Sequence, residues 1–159
     1  MSINLALNKS ASASDFVPPY SAQRVVDGST AALSRWLCNT LPCWVNVDLG
    51  NVFSIDRWVV KHMSVVPGWP TPGYSIRDFK LQSSIDNNIW SDVDTVLNNT
   101  SSITDHSVTP FYARYVRVYI TSGLNINPQL SSIMEFEVYE ASPKPPEPPL
   151  PTRGIRIFD

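Results

Sequence analysis

The chain has 159 residues, with 12 Lys and Arg against 14 Asp and Glu, a net charge of −2 and only 16% charged side chains. That length suits one domain, or one domain with a tail, and a chain so poor in cations lacks the phosphate-neutralising footprint of a nucleic-acid binder. No apolar run approaches the roughly 20 residues of a membrane span, and 40 Ser, Thr and Asn residues make the surface polar but largely uncharged.

Along the chain the apolar pattern has period two. Val45, Val47 and Leu49 alternate with Trp44, Asn46 and Asp48; Phe79 and Leu81 alternate with Asp78, Lys80 and Gln82. Further on, Val116, Val118 and Ile120 alternate with Tyr115, Arg117 and Tyr119, and Met134, Phe136 and Val138 with Glu135 and Glu137. Such alternation puts one side-chain set on a core and the other toward solvent, the mark of half-buried antiparallel strands. Turn-rich clusters separate the runs: Val17-Pro18-Pro19-Tyr20, the stretch from Pro67 to Gly73, Asp86-Asn87-Asn88, and Asn125-Ile126-Asn127-Pro128. No dozen residues carry helical spacing free of Pro and Gly. The pattern predicts an all-β sandwich over residues 1–140, with about eight strands in a jelly-roll arrangement.

A proline-rich linker is expected over 141–153, because six of the nine residues from 143 to 151 are proline. Residues 154–159 (Gly-Ile-Arg-Ile-Phe-Asp) read as a short apolar strand: an expression remnant, the first strand of a following domain, or a docking strand that makes the protein a homo-oligomer through residues 143–159. The N-terminus shows no basic stretch followed by an apolar run, so no signal peptide is visible.

Cys38 and Cys43 bracket Asn39-Thr40-Leu41-Pro42. Zinc is disfavoured, since only His62 and His106 could join them and neither has ligand spacing. Between a disulfide and two free thiols the reading favours the disulfide, and with it an oxidising location, secreted or at the cell surface. No catalytic constellation is recognisable: the two histidines lie in different segments, and there is no glycine-rich phosphate loop. The chain is expected not to be an enzyme.

Seven pieces then occur in one order. They are Asn4-Leu5-Ala6-Leu7-Asn8-Lys9, Val26-Asp27-Gly28, Arg35-Trp36, Trp44 through Gly50, Phe79 through Ser84 with Trp90, Ala113 through Val118, and Glu135-Phe136-Glu137-Val138-Tyr139. In this order the chain resembles the discoidin family, also called coagulation factor V/VIII C-type domains, which shares its fold with many bacterial carbohydrate-binding modules. The resemblance implies a galactose-binding-domain-like jelly roll and a structural calcium ion. The carboxylates of Asp27 and Glu135, the backbone carbonyls of Arg24, Ser29 and Met134, and the hydroxyl of Ser34 or Thr30 would hold that ion. Without the resemblance, Asp27 reads as a turn residue and Glu135 as an exposed strand carboxylate.

In such a fold the loops at one end form the recognition surface: 15–21, 37–43, 62–74 and 122–131. They carry Phe16, Tyr20, Trp69, Tyr74, His62, Asn39, Asn125 and Asn127. Sugars need a flat aromatic face flanked by hydrogen-bonding groups, and Trp69, set among prolines and glycines, is the expected platform, exposed on its loop. Trp36, Trp44, Trp58 and Trp90 are expected to pack in the core or on a sheet face. Galactose-binding relatives usually carry a His after the Arg-Trp pair and an Arg in the loop after the next strands; here Leu37 takes the first place and no Arg lies between His62 and Pro67. His62 has two readings, a ligand contact or a strand-end imidazole capping a backbone group. The expected function is a non-catalytic carbohydrate-binding or lectin-like adhesion module with glycan or glycoprotein partners. Two alternatives are a membrane-surface module with Phe16, Leu37, Leu41 and Trp69 as apolar tips, and a structural assembly module using the tail.

Overall fold

A computed structural model of the protein describes residues 2–143, 148, 149 and 151. Each alternating run becomes a strand. The seven are β1 (Ser10–Ala13), β2 (Trp36–Cys38), β3 (Cys43–His62), β4 (Ile76–Ser84), β5 (Ser91–Val96), β6 (Ile103–Leu124) and β7 (Ser131–Glu140), all pairing antiparallel in the order β2-β7-β3-β6-β4-β5, with β1 on β3. Among the described residues the count is seven where the sequence suggested about eight, and β3 and β6 are double-length and bend. The β3 ladder is irregular between Asp48 and Phe53. Before that corner β3 pairs with β1 and the second half of β6; beyond it, with β7 and the first half of β6. Both long strands therefore run through both layers of the sandwich. Two short 3-10 turns, Ala22–Val26 and Met63–Val65, are the helical pieces among the described residues.

The inward residues form one core. Val45, Val47, Leu49, Val116, Val118 and Ile120 come from one layer and Ile55, Trp58, Val60, Ile133, Phe136 and Val138 from the other. At roughly 25 cal/mol per Å² of apolar surface removed from water, this burial is the main stabilising term. Residues 131–138 of β7 are buried on both faces, since the N-terminal segment and the turn at 22–26 cover the side away from the core. Asn4 fastens that segment: its Oδ1 accepts from the backbone N–H groups of Ala6 (3.0 Å) and Val138 (3.3 Å).

Of the five tryptophans, Trp36 and Trp58 are core residues, while Trp44 and Trp90 lie half-buried on a sheet face. The expected tail strand at 154–159, and most of the proline-rich stretch, lie outside the described residues.

Candidate functional site

The corners in β3 and β6 turn those strands back, so Cys43, His62, Leu124, Ile76 and Ser131 all arrive at the same end of the sandwich. The four candidate loops meet there. Loop 15–21 is hung on β2: the Val17 N–H donates to the Leu37 carbonyl (2.8 Å), the Leu37 N–H to the Tyr20 carbonyl (3.2 Å), and the Trp36 indole N–H to the Asp15 carbonyl (3.0 Å). Loop 62–74 is closed by Trp69 N–H to Val66 carbonyl (3.1 Å) and Tyr74 N–H to Pro70 carbonyl (3.2 Å). Loop 122–131 closes over Gly123, where an added Cβ would stand 2.1 Å from the Leu130 carbonyl oxygen, so the return of the chain requires glycine.

These anchors stack four side chains. The Trp69 and Tyr74 rings lie 6.1 Å apart at 26°, and the Arg35 guanidinium sits 4.0 Å from the Tyr20 ring centre and 4.9 Å from that of Trp69. Trp69 differs from its expectation. It is half-buried, with part of its ring packed against the core and only part open to solvent. Arg35 also donates to the Ala32 carbonyl, and its Nε is buried without a partner. Asp15 is exposed on the loop that carries Tyr20, accepting from the Thr40 hydroxyl (2.6 Å) and the Phe16 N–H (2.8 Å). Those two bonds hold its carboxyl below the usual carboxylate range. Phe16 (44% exposed), Asn39 and Asn127 are open to solvent.

Two expected ligand contacts are structural instead. His62 is fully buried; its Nδ1 accepts the Ile76 N–H (3.3 Å) and its Nε2 lies 2.9 Å from the Thr104 hydroxyl. Burial pushes its pKa down to about 3, so the ring is neutral. It serves a backbone group, as one of the two readings held, but accepts an N–H rather than capping a carbonyl. Asn125 spends its side-chain amide on the carbonyls of Pro72 (3.0 Å), Ser75 (3.1 Å) and Asn99 (2.9 Å), clamping the loops together. Having no donor left over, it is a brace for the site.

The expected disulfide is also corrected. Cys38 and Cys43 are buried free thiols on strand ends, Cys38 opposite Ser131 of β7 and Cys43 opposite Ile120 of β6. The Cys38 thiol donates to the Thr40 carbonyl (3.4 Å), and burial, then the neighbouring Cys38, pushes the Cys43 thiol far above its ordinary range. Strand pairing, not a crosslink, fixes the turn between them.

Away from the loop end, Asp27 and Glu135 meet within hydrogen-bonding range, although 107 residues lie between them in sequence. Gly28, whose φ is +77°, turns its N–H onto Glu135 Oε1 (3.0 Å); the Ser34 hydroxyl bonds Asp27 Oδ2, and the Ser29 N–H donates to Asp27 Oδ1 (2.9 Å). Glu135 is only 2% exposed, so the reading of it as an exposed strand carboxylate is set aside. Its pKa is pushed up to about 9 by burial and then by Asp27, while for Asp27 the upward pull of burial is outweighed by hydrogen bonds from Ser34 and Glu135. Among the described residues no three Asp, Glu, His or Cys side chains cluster, so any cation here would draw on carbonyls and a hydroxyl as well as the two carboxylates.

Sequence reasoning named neither Arg35 nor Asp15 as a site residue. The Arg-Trp pair was visible only as a motif, and stacking against rings from two other loops leaves no periodic trace.

A family model, the NedA-like, galactose-binding domain of the F5/F8 type C class, matches residues 24–118. No curated protein sequence matches the chain significantly. Among solved structures, chitosan-binding module 1 of a chitosanase/glucanase from Paenibacillus sp. IK-5 is 31% identical, with 86% of this chain and 98% of that one covered and a TM-score of 0.71. Module 2 of the same enzyme, solved with chitotriose, is 27% identical over 86% and 99% (TM-score 0.71). A fucose-binding module from Streptococcus pneumoniae is similar at the level of fold, at 18% identity over 88% and 96% (TM-score 0.72).

Proposed function

Because the chain belongs to the F5/F8 type C family of NedA-like, galactose-binding domains, we propose that it is a non-catalytic carbohydrate-binding module whose loop end grips amino-sugar glycans outside the cell. The observation that carries this is the Tyr20–Arg35–Trp69–Tyr74 stack, with the exposed Asp15 carboxylate on the same loop as Tyr20. Aromatic faces take up the C–H faces of pyranose rings, and an ionised carboxylate forms charge-assisted bonds to an ammonium group. Two relatives near 30% identity bear chitosan in their names, and chitosan is the glycan that supplies free amines. Leu37, and the lack of Arg between His62 and Pro67, argue against galactose. The lipid reading is weaker: Leu37, Leu41 and Trp69 are partly buried, which leaves Phe16 as the main apolar tip.

A structural calcium ion at Asp27 and Glu135 belongs to the same proposal. Two carboxylates in contact, one of them buried, need a shared proton or a cation between them, and their oxygen-rich surroundings suit a hard cation. Asp27, Ser34 and Glu135 would supply side-chain oxygens, and Arg24, Ser29 and Met134 carbonyls. The ion would pin the 27–34 turn to β7 and take no part in chemistry.

Calorimetric titration with chitosan oligosaccharides, their fully N-acetylated counterparts and galactose tests the ligand. Binding should be strongest for the free amines, vanish in Trp69→Ala, and weaken by about tenfold in Asp15→Asn. Binding of any of these sugars that survives Trp69→Ala unchanged overturns the loop-end site.

A further inference from the structure

The layer built from β1, β3, β6, β4 and β5 has a second side. Val45, Val47, Val116, Val118 and Leu81 point into the core, so their neighbours face outward, covered in part by the β4–β5 turn through Asn87 and Trp90. Register sets those neighbours in rows. Trp44 lies opposite Tyr119 and Tyr119 opposite Lys80; in the next row Asn46 lies opposite Arg117, Arg117 opposite Gln82, and Gln82 opposite Asp92.

Arg117 is the centre of this face. Its guanidinium carbon stands 4.1 Å from the Trp90 ring centre, 5.4 Å from Tyr119 and 5.5 Å from Trp44. Its Nε donates to the neutral Gln82 Oε1 (2.7 Å). Lys80 on the same face is held by Asp92 (2.9 Å), and Arg114 by Asp48 (2.9 Å), whereas Arg117 meets no carboxylate among the described residues. Its terminal N–H groups have no protein acceptor there, and they are not among the buried unpartnered atoms, so they reach solvent. Beside it Asn46, only 5% exposed, has an unpartnered Oδ1, and its Nδ2 holds Asn87 of the β4–β5 turn (2.9 Å). From Tyr119 the face continues into a groove of about 480 Å³ lined by Leu41, Pro42, Tyr119 and Gln129.

Stapling the β4–β5 turn to the sheet would explain the stack of Arg117 on Trp90. It does not explain a cation left without a carboxylate on a face that pairs its other cations, inside a ring of three half-exposed aromatics. We propose that this outer sheet face is a second glycan-binding surface, selective for acidic sugars, in which Arg117 receives a uronate carboxylate and Trp44, Tyr119 and Trp90 receive sugar rings. The planar guanidinium fork matches a carboxylate's two oxygens, and the surrounding rings keep water from competing for it. A flat face continuous with an open groove suits several residues of an extended chain rather than one terminal sugar. The groove borrows Leu41, Pro42 and Gln129 from the loop end, but Arg117, Trp44 and Trp90 lie outside those loops, and the proposal rests on them rather than on the loop-end reading.

Trigalacturonate and neutral galactotriose are the probes, followed by amide NMR and calorimetry on the whole chain. Trigalacturonate should shift the amides of residues 44–46, 80–82, 90 and 115–119, more strongly than galactotriose, and its affinity should be unchanged in Trp69→Ala. Arg117→Lys keeps the charge but loses the fork, and should weaken trigalacturonate by about tenfold. Tyr119→Ala, which leaves the Arg117–Trp90 stack in place, should weaken both sugars. The proposal is overturned if trigalacturonate leaves the sheet-face amides unmoved, if its shifts fall only on the loop end, or if it binds no better than galactotriose.

Discussion

His62 ends β3 with its ring against Phe79 (ring centres 5.3 Å apart), and its neutral state is part of the fold. Its pKa falls from 6.5 to about 3 on folding, because burial penalises the charged ring. The unfolded chain therefore takes up a proton that the folded chain refuses. The stability due to the neutral ring is complete above pH 6.5 and is lost as pH falls toward 3, at about 1.4 kcal/mol per pH unit within that window. His62→Gln should flatten the stability difference between pH 6.5 and 3.5 relative to wild type, read by denaturant titration; parallel curves for the two proteins would mean the ring is charged or exposed. For Trp69, part-burial adds a stability cost to the expected loss of binding, about 1–2 kcal/mol in Trp69→Ala by the same titration. Neither residue's placement could be read from its neighbours in sequence. A polar or aromatic residue in a loop is legible as such, but whether it turns outward depends on loops that approach from elsewhere, as when Asn99 and Pro72 consume the amide of Asn125.

Strands were more legible, because period two reports which side of a strand is buried and needs no distant partner. The runs at 45–49, 79–81 and 116–120 lie in strands with their apolar members inward, whereas 134–138 lies in a strand whose expected solvent side, Glu135 and Glu137, is buried as well. The corners in β3 and β6 were not legible, since a bent strand continues its alternation through the bend. The cysteines failed for a related reason. Their spacing permits a bridge, but β2 and β3 place both thiols in the core as free groups. Ellman's reagent should therefore find almost no reactive thiol in the native protein and two per chain after denaturation. A denatured count of zero would restore the disulfide. Gly123 is a test of the β6–β7 return: Gly123→Ala forces a Cβ into the Leu130 carbonyl and should destabilise by more than about 2 kcal/mol in chemical denaturation, with a cost near zero contradicting the close approach.

At the scale of the molecule, the Asp27–Glu135 contact joins the turn after the first 3-10 segment to the middle of β7, which also carries the N-terminal segment through Asn4. Without a cation, Glu135, its pKa pushed up to about 9 by burial and Asp27, keeps its proton and shares it with Asp27, so hydrogen bonds alone hold the place where early and late parts of the chain meet. An ion bound only by the folded state stabilises it by RT ln(1 + [L]/Kd), about 2.7 kcal/mol at a hundredfold excess over Kd. For a chain of this size, that corresponds to a rise in Tm of several degrees, about 5–10 °C. Glu135→Gln separates the ion's contribution from that of the fold. The variant keeps a neutral group able to hydrogen-bond Asp27 but can no longer ionise to hold a cation, so in chelator it should melt no lower than wild type, and calcium should no longer raise its Tm. Scanning calorimetry of both proteins, with calcium and with chelator, gives four melting temperatures. A wild-type Tm indifferent to calcium would remove the ion from the junction, leaving a shared proton between Asp27 and Glu135 as the way the contact is held.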